Sequence, residues 1–287
     1  MKCEICPRAC NVNRSKQKGF CNQTNKVRIS KVMFHHYEEP IISGAENQKG
    51  SGAIFFTGCN LKCEFCQNYK ISHKNKGKNI TINKLVKIIK RLESKGALNI
   101  NLVTPSHFTN QIIEALKIYK PKIPVVWNSN GYELASTVEK LKGYVDIFLV
   151  DLKYMNNEIA FKFSKAKDYV ENATTAILKM REIQPKDEIE NGLMKKGLII
   201  RHLILPNYSS DSVKCLEFIK NHLGENAIVS IMSQYYPCYK ALKNLEINRP
   251  ITPIEYKRVV SYAQYNNMNN CYTQELESAN KKYTPKF

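Results

Sequence analysis

The 287-residue chain alternates short, wholly apolar runs with longer stretches whose apolar positions recur at helical spacing. Residues 53–56 read as a buried strand, an apolar run with two aromatics closed by Thr57-Gly58. Similar runs at 98–103, 124–127, 146–150, 198–205 and 227–232 predict five more strands. Between the first two, Ile82, Leu85, Val86, Ile89 and Leu92 share one helical face within 80–94, and Gly96 ends the helix. Further helices are predicted over 110–119, 134–141, 166–182, 212–223 and 252–265, and 184–196 reads as a polar connector. Strands alternating with helices mean parallel βα units. Six of them suit an α/β fold, a partial and open (β/α)6 TIM-like barrel whose chemistry sits at the C-terminal strand ends. The expected organisation is a small Cys-rich N-terminal segment over 1–50, the barrel over 51–240, and a C-terminal helix and tail packing on it over 241–287.

Composition narrows the class. At 43% hydrophobic residues, the chain can bury the core of one large domain. No apolar stretch approaches the roughly 18 residues that span a bilayer, and MKCEICPRAC lacks an apolar signal region. A cytoplasmic protein without a membrane partner is therefore expected. Ten cysteines in such a chain favour metal ligation over disulfides. The formal net charge of +19 is spread over scattered lysines, as at 74–78, 84–91 and 281–286, which reads first as a solvated face. If that charge has a partner, an acidic electron donor fits at least as well as nucleic acid, since no basic arm or aromatic-interleaved patch is present.

Two cysteine constellations carry the chemistry. Cys59, Cys63 and Cys66 follow the first predicted strand in the spacing C-x3-C-x2-C. Iron–sulfur clusters normally take four cysteines, so three in one loop leave an iron without a protein ligand. An open coordination position marks a catalytic metal site. The same three thiolates with His73 could instead make a tetrahedral zinc site, but the strand-and-loop context fits the cluster better. Cys3, Cys6, Cys10 and Cys21 form a second set, C-x2-C-P-R-x-C-x10-C, whose four thiolates suit either zinc or an auxiliary 4Fe-4S cluster. Cys215 reads as a core residue, and Cys238 lies past the last strand, near the expected site.

The cysteine loop SGAIFFTGCNLKCEFCQNYKISH, with CEICPRACNVNR, EEPIISG, NINLVTPSHF, IPVVWNSNGYE, VDIFLVDLKY, IIRHLILP and SIMSQYYP, resembles the radical S-adenosylmethionine (SAM) enzymes. More narrowly, it resembles their uncharacterised pyruvate formate-lyase activating-enzyme-like members. The resemblance implies a 4Fe-4S cluster on Cys59, Cys63 and Cys66, and SAM bound through the open iron. It also implies reductive cleavage to a 5′-deoxyadenosyl radical, anaerobic chemistry, and a flavodoxin- or ferredoxin-type electron donor. By the same resemblance Phe65 lies against the adenine, with a plain core aromatic as the alternative. Asn128, Ser129, Asn130 and Gly131 stand where activating enzymes carry Asp-Thr-Asn-Gly, and Gly131 is expected to let backbone approach a ligand. Asp151 and Lys153 match an Asp-x-Lys and share one strand face, where they either grip SAM or form a structural pair. Arg201 and His202 match a strand that reaches the nucleoside, though a lone strand histidine more often packs in the core.

One departure bears on the reaction. Activating enzymes have Gly-Gly-Glu where this chain has Thr104-Pro105-Ser106-His107. Thr104 and Ser106 can accept a hydrogen bond from an ammonium without a carboxylate's charge. The expected substrate is a glycine of a glycyl-radical enzyme. Radical modification of RNA, a peptide or a small molecule is the competing reading, and a non-enzymatic electron-transfer or metal-sensing protein is disfavoured by the open iron. His35 and His36 precede the first predicted strand, at the mouth or on the surface.

Overall fold

The computed structural model describes residues 2–276 and Ala279; the lysine-rich end at 281–286 and the last part of the expected C-terminal tail lie outside the described residues. Among the described residues one sheet holds ten strands. The chain enters it with β1 (Arg28–His35), antiparallel to β2 (Ser51–Phe56), and β3 (Lys78–Asn79) pairs with the far side of β1. From β2 the sheet continues in parallel through β4 (Ile100–Val103), β5 (Val125–Ser129), β6 (Ile147–Asp151), β8 (Leu193–Leu203) and β9 (Ile228–Met232) to β10 (Cys271–Thr273). β7 (Glu188–Glu190) pairs only with β8. The six predicted strands are thus adjacent and parallel, in chain order, as an open α/β barrel requires.

The helices are α1 (Pro40–Ser43), α2 (Tyr69–Ser72), α3 (Ile82–Ser94), α4 (Thr109–Ile118), α5 (Ala135–Glu139), α6 (Asn157–Ser164), α7 (Tyr169–Ile183), α8 (Ser209–Leu223) and α9 (Pro253–Tyr265). In α3 the predicted stripe is the buried one, Leu85, Val86, Ile89 and Leu92, and Thr81 caps the first turn by accepting from the Lys84 N–H. In α9, Thr252 and Glu255 close a capping box around Pro253. No helix of the described residues is long and apolar enough to cross a membrane.

Two expectations are corrected. The helix expected over 166–182 begins at Tyr169, and a separate α6 precedes it, capped by the Asn156 side chain on the amides of Glu158 and Ile159. The connector at 184–196 is a hairpin: Asn191 and Gly192 both take positive φ, 52° and 76°, the Asn-Gly turn that joins antiparallel strands. Within 1–50, β1 and α1 are built into the barrel.

Alternation along the strands divides the barrel into faces. Trp127, Phe148, Val150 and Ile200 point outward into the main core under the helices. Val126, Ile147, Leu149, Ile199 and Ile228 point inward and meet Ile41 and Ile42 of α1, which plugs the barrel floor. Farther along the strands the inward positions turn polar at Asn128, Asp151, Arg201 and Ser230, and Asn101 of β4 pairs with Val126. The floor is dry, and the layer above it carries charge. Ile42 is fully buried, so Ile42→Ala should cost about 2–5 kcal/mol, read as a lowered midpoint in chemical denaturation.

Candidate functional site

A cavity of about 250 Å3 opens at the C-terminal ends of the parallel strands, with wall residues from all six. It brings together Cys59, Cys63, Cys66, Phe65, Thr104, Asn128, Ser129, Asn130, Asp151, Lys153 and Arg201, all of them candidates from the sequence. The loop after β2 is stitched at both ends. Gly58 N–H donates to Ile71 O at 3.0 Å, and Lys62 and Glu64 N–H donate to Ser164 O and Phe163 O at the end of α6, at 3.0 and 2.9 Å.

Each thiol of the loop has a polar partner on its sulfur. Cys59 Sγ accepts from Leu61 N–H at 3.4 Å and Asn130 Nδ2 at 3.2 Å, and Cys63 Sγ accepts from Ser164 Oγ at 2.9 Å. Cys66 Sγ and Ser72 Oγ share a bond of 3.1 Å. Burial raises the Cys63 thiol against the opposing Lys153 ammonium, and burial followed by Cys63 pushes Cys66 up to about 12. Free Cys63 and Cys66 thiols would hold their protons; a cationic iron centre would displace them. Donors on sulfur also stabilise the thiolate that such a centre needs. The residues fit an iron–sulfur cluster.

Zinc fits the loop less well. His73 turns its ring to the Cys63 backbone and packs on Tyr239 at 4.9 Å between centroids. Among the described residues no group of three or more Cys, His, Asp or Glu side chains is already drawn together for a single metal ion, at this loop or at the N-terminal cysteines.

The polar layer is one connected network. Arg201 Nε donates to Asp151 Oδ1 at 2.9 Å, Nη1 to Glu38 Oε2 at 3.0 Å, and Nη2 to Asn128 Oδ1 at 2.7 Å. Glu38 Oε1 accepts from both Asn101 and Asn128 at 3.0 Å, and Lys153 Nζ donates to Asp151 Oδ2 at 2.6 Å. Burial alone would raise Asp151, but Arg201 and Lys153 together hold its carboxyl below the usual range. Burial would likewise lower Lys153, and Asp151 keeps it raised. Two anions and two cations make the wall neutral and leave it rich in donors.

The remaining candidates sit as follows. Phe65 is buried, lines the cavity and packs on Tyr235 at 5.8 Å. Ser129 reaches the wall, but its hydroxyl donates to the buried Glu133 at 2.9 Å, which Trp127 Nε1 also approaches at 3.0 Å. Gly131 does not line the cavity. Its φ is 78°, and a Cβ there would stand 2.2 Å from Asp151 O, so the close approach it permits is to β6 and not to a ligand. Ser106 also lies off the cavity, within reach of Glu133. His202 is buried, with Nδ1 2.7 Å from Leu152 O, and faces the core. His35 is buried at the cavity and lowered to about 4 by burial and then His36. Cys215 is buried in α8, and Cys238 donates to Phe65 O at 3.4 Å. Glu38 and Asn101 carried no sequence candidacy; Glu38 was visible only as part of EEPIISG. Ser164 was missed outright, since a hydroxyl that meets a sulfur across the fold leaves no local pattern, and Ser72 was visible only as part of the cysteine-loop segment.

The model of the radical SAM superfamily matches residues 53–214, more than half of the chain. The chain belongs to the radical SAM superfamily. The superfamily's cofactors are a 4Fe-4S cluster and SAM, which agrees with the donor set of the loop. An uncharacterized protein of Methanocaldococcus jannaschii is 35% identical over 280 residues, 94% of this chain and 76% of its own length. A second protein of that organism, named provisionally as a glycyl-radical enzyme activating enzyme, is 27% identical over 144 residues, 50% of this chain and 59% of its own. Among solved structures, Streptococcus suis SuiB bound to S-adenosylmethionine matches with a TM-score of 0.52 at 16% identity, over 76% of this chain and 48% of SuiB. SuiB bound to its precursor peptide SuiA matches with a TM-score of 0.50 at 15% identity, over 76% of this chain and 46% of SuiB. The chain thus spans about half the length of the solved structures it matches, and at these identities they speak for the radical SAM fold.

Removing one member of the partly buried network strands its partners. Asp151→Ala leaves Arg201 and Lys153 without their shared carboxylate, and the expected loss is about 3–5 kcal/mol, seen as a lower denaturation midpoint. Calorimetry should also show weaker SAM binding to the iron-loaded variant than to the iron-loaded wild type.

Proposed function

We propose that this radical SAM enzyme takes a hydrogen atom from a peptide, with the glycine of a glycyl-radical enzyme as its substrate. The reading is carried by one observation: the three loop thiols and the Asp151–Lys153–Arg201 network face the same cavity at the strand ends. Bound there, a 4Fe-4S cluster and SAM supply a one-electron reductive cleavage that yields a 5′-deoxyadenosyl radical able to take hydrogen from unactivated carbon.

The chain's own residues bind, orient and exclude water. Cys59, Cys63 and Cys66 would hold three irons, and the donors from Leu61, Asn130, Ser164 and Ser72 would tune the sulfurs. Phe65, backed by Tyr235, offers an apolar face for the adenine. Asp151, Lys153, Arg201 and Asn128 would meet the polar groups of SAM, and Thr104 would accept from its ammonium. Ser106, Gly131 and His202 stand off the cavity, so their part is to shape the wall. The electron would come from a flavodoxin- or ferredoxin-type donor, whose acidity suits a chain of net charge +19.

The peptide glycine is supported by the provisionally named activating enzyme over half of the chain, and by SuiB, whose structure holds a precursor peptide. The TPSHF segment in place of Gly-Gly-Glu weighs on the other side, since it removes a charge from the ammonium end of the site.

The test is anaerobic reconstitution with iron and sulfide, reduction, and addition of SAM. The wild type should form 5′-deoxyadenosine, and Cys66→Ala should lose loop iron and fall to background. Iron-loaded wild type that forms none would sink the enzyme reading. With a glycyl-radical partner deuterated at glycine, deuterium should enter 5′-deoxyadenosine and a glycyl doublet should appear in spin resonance. Deuterium-free product in the presence of that partner counts against glycine as the hydrogen source.

A further inference from the structure

The superfamily match begins at residue 53, so the N-terminal cysteines lie outside it. Cys3, Cys6, Cys10 and Cys21 are free thiols, with Cys6 and Cys21 buried and the other two half-buried. Cys6 has Cys21, Cys10 and Cys3 around it, and Cys21 has Cys10 and Cys3. The sulfurs of Cys10 and Cys21 both converge on Gly19, where a Cβ would stand 3.5 and 3.7 Å from them. Backbone N–H groups are aimed at the set: Phe20 N–H donates to Cys10 Sγ at 3.2 Å, and the amides of Arg8 and Gln23 turn to Cys6 and Cys21. The turns that aim them are costly, with Ala9, Asn11 and Asn22 at φ 38°, 54° and 61°.

The segment has almost no apolar core of its own. Among its described residues before β1, Val27 is the one buried apolar side chain besides the two cysteines. A segment this short without a core needs a crosslink, and its cysteines form no disulfide.

The segment is also fastened to the cluster loop. Arg8, between Cys6 and Cys10, donates from Nε to Asn60 O at 2.7 Å, inside the Cys59–Cys63 loop. Its guanidinium also bonds Lys165 O and reaches Ser164 O at 3.5 Å, on the residue whose hydroxyl donates to Cys63 Sγ. Gly58, just before Cys59, has φ 84° and lies so near Cys21 O that a Cβ would stand 2.5 Å from it. Farther along, Arg14 donates to His107 O at 2.5 Å, and the His107 ring lies 2.7 Å from Thr57 O.

We infer that Cys3, Cys6, Cys10 and Cys21 hold a closed four-thiolate metal centre, and that this centre sets Arg8 as a clamp on the loop of Cys59, Cys63 and Cys66. Arg8 is a positioning residue. The metal half of the inference is independent of the proposed reaction; the clamp half rests on the reading that the loop carries iron.

Metal analysis of the full chain, prepared anaerobically, tests both halves. The Cys59→Ala/Cys63→Ala/Cys66→Ala variant should keep about one zinc or about four iron per chain, and Cys6→Ser/Cys21→Ser on top of it should lose that metal. Either metal supports a four-thiolate centre, and which one is found tells a structural ion from a second cluster. The triple variant without bound metal, and without thiolate-to-cobalt absorption when titrated with cobalt(II), overturns the centre. For the clamp, Arg8→Ala should keep the N-terminal metal and release loop iron to a chelator about 10-fold faster, with a changed spin-resonance signature of the reduced cluster. Unchanged release and signature overturn the clamp. Wild type that loads no loop iron while keeping N-terminal metal refutes the reaction proposed above, not the centre.

Discussion

The partly buried Arg201 guanidinium is the interaction around which the active end of the barrel is organised. It lies on β8 and reaches Asp151 on β6, Asn128 on β5 and Glu38 in the turn before α1. One side chain thus ties together three neighbouring strand ends and the segment beneath them. Arginine suits this because its planar fork offers several donors in fixed directions. A buried cation is tolerable only when its partners answer it, so Asp151 and Glu38 are structural requirements before they are chemical ones. The layout also explains why the network sits one layer above an apolar floor: a dry layer below shields the pairs from water and makes each bond stronger.

The cluster loop has a different support. Its sulfurs are met by groups from four places: the loop itself, the end of β5, α2 and α6. No one of these is close to the cysteines in the chain except Leu61 and Ser72. The loop is therefore held by the folded barrel, and its geometry is a property of the whole domain. Superfamily membership says what such a loop binds; the surrounding hydroxyls and amides are this chain's own answer to how tightly it is posed.

Much of this was legible in the sequence. The six parallel strands were readable because each contains a short apolar run, and the α3 stripe was readable from its period. The Cys59–Cys66 spacing marked the loop, and Asp151 and Lys153, read as sharing one face, both line the cavity, Lys153 just past the end of β6. β1 was not legible: its order Arg-Ile-Ser-Lys-Val-Met-Phe-His has no clean alternation, because it is half-buried on an antiparallel flank. The α6 start was hidden by its dependence on an asparagine cap, and the β7–β8 hairpin by a polar composition that masked its Asn-Gly turn. Gly131 was placed by the sequence in the right region with the wrong neighbour, whereas the core reading of His202 is the one its buried ring matches. A motif gives position along the chain, whereas orientation depends on strands far away in it.

Glu38 belongs to the same short stretch as the plug. Its N–H donates to Ser43 Oγ at 2.9 Å, Ile42 O accepts from Asn99 Nδ2 at 2.8 Å, and Ile41 and Ile42 are seated among the inward aliphatic side chains. The depth at which two isoleucines settle therefore fixes the height of a carboxylate. Any reshaping of the oily base, even by a methyl group, is carried upward as a shift in where negative charge is presented to the guanidinium. Packing and electrostatics in this barrel are not separately adjustable.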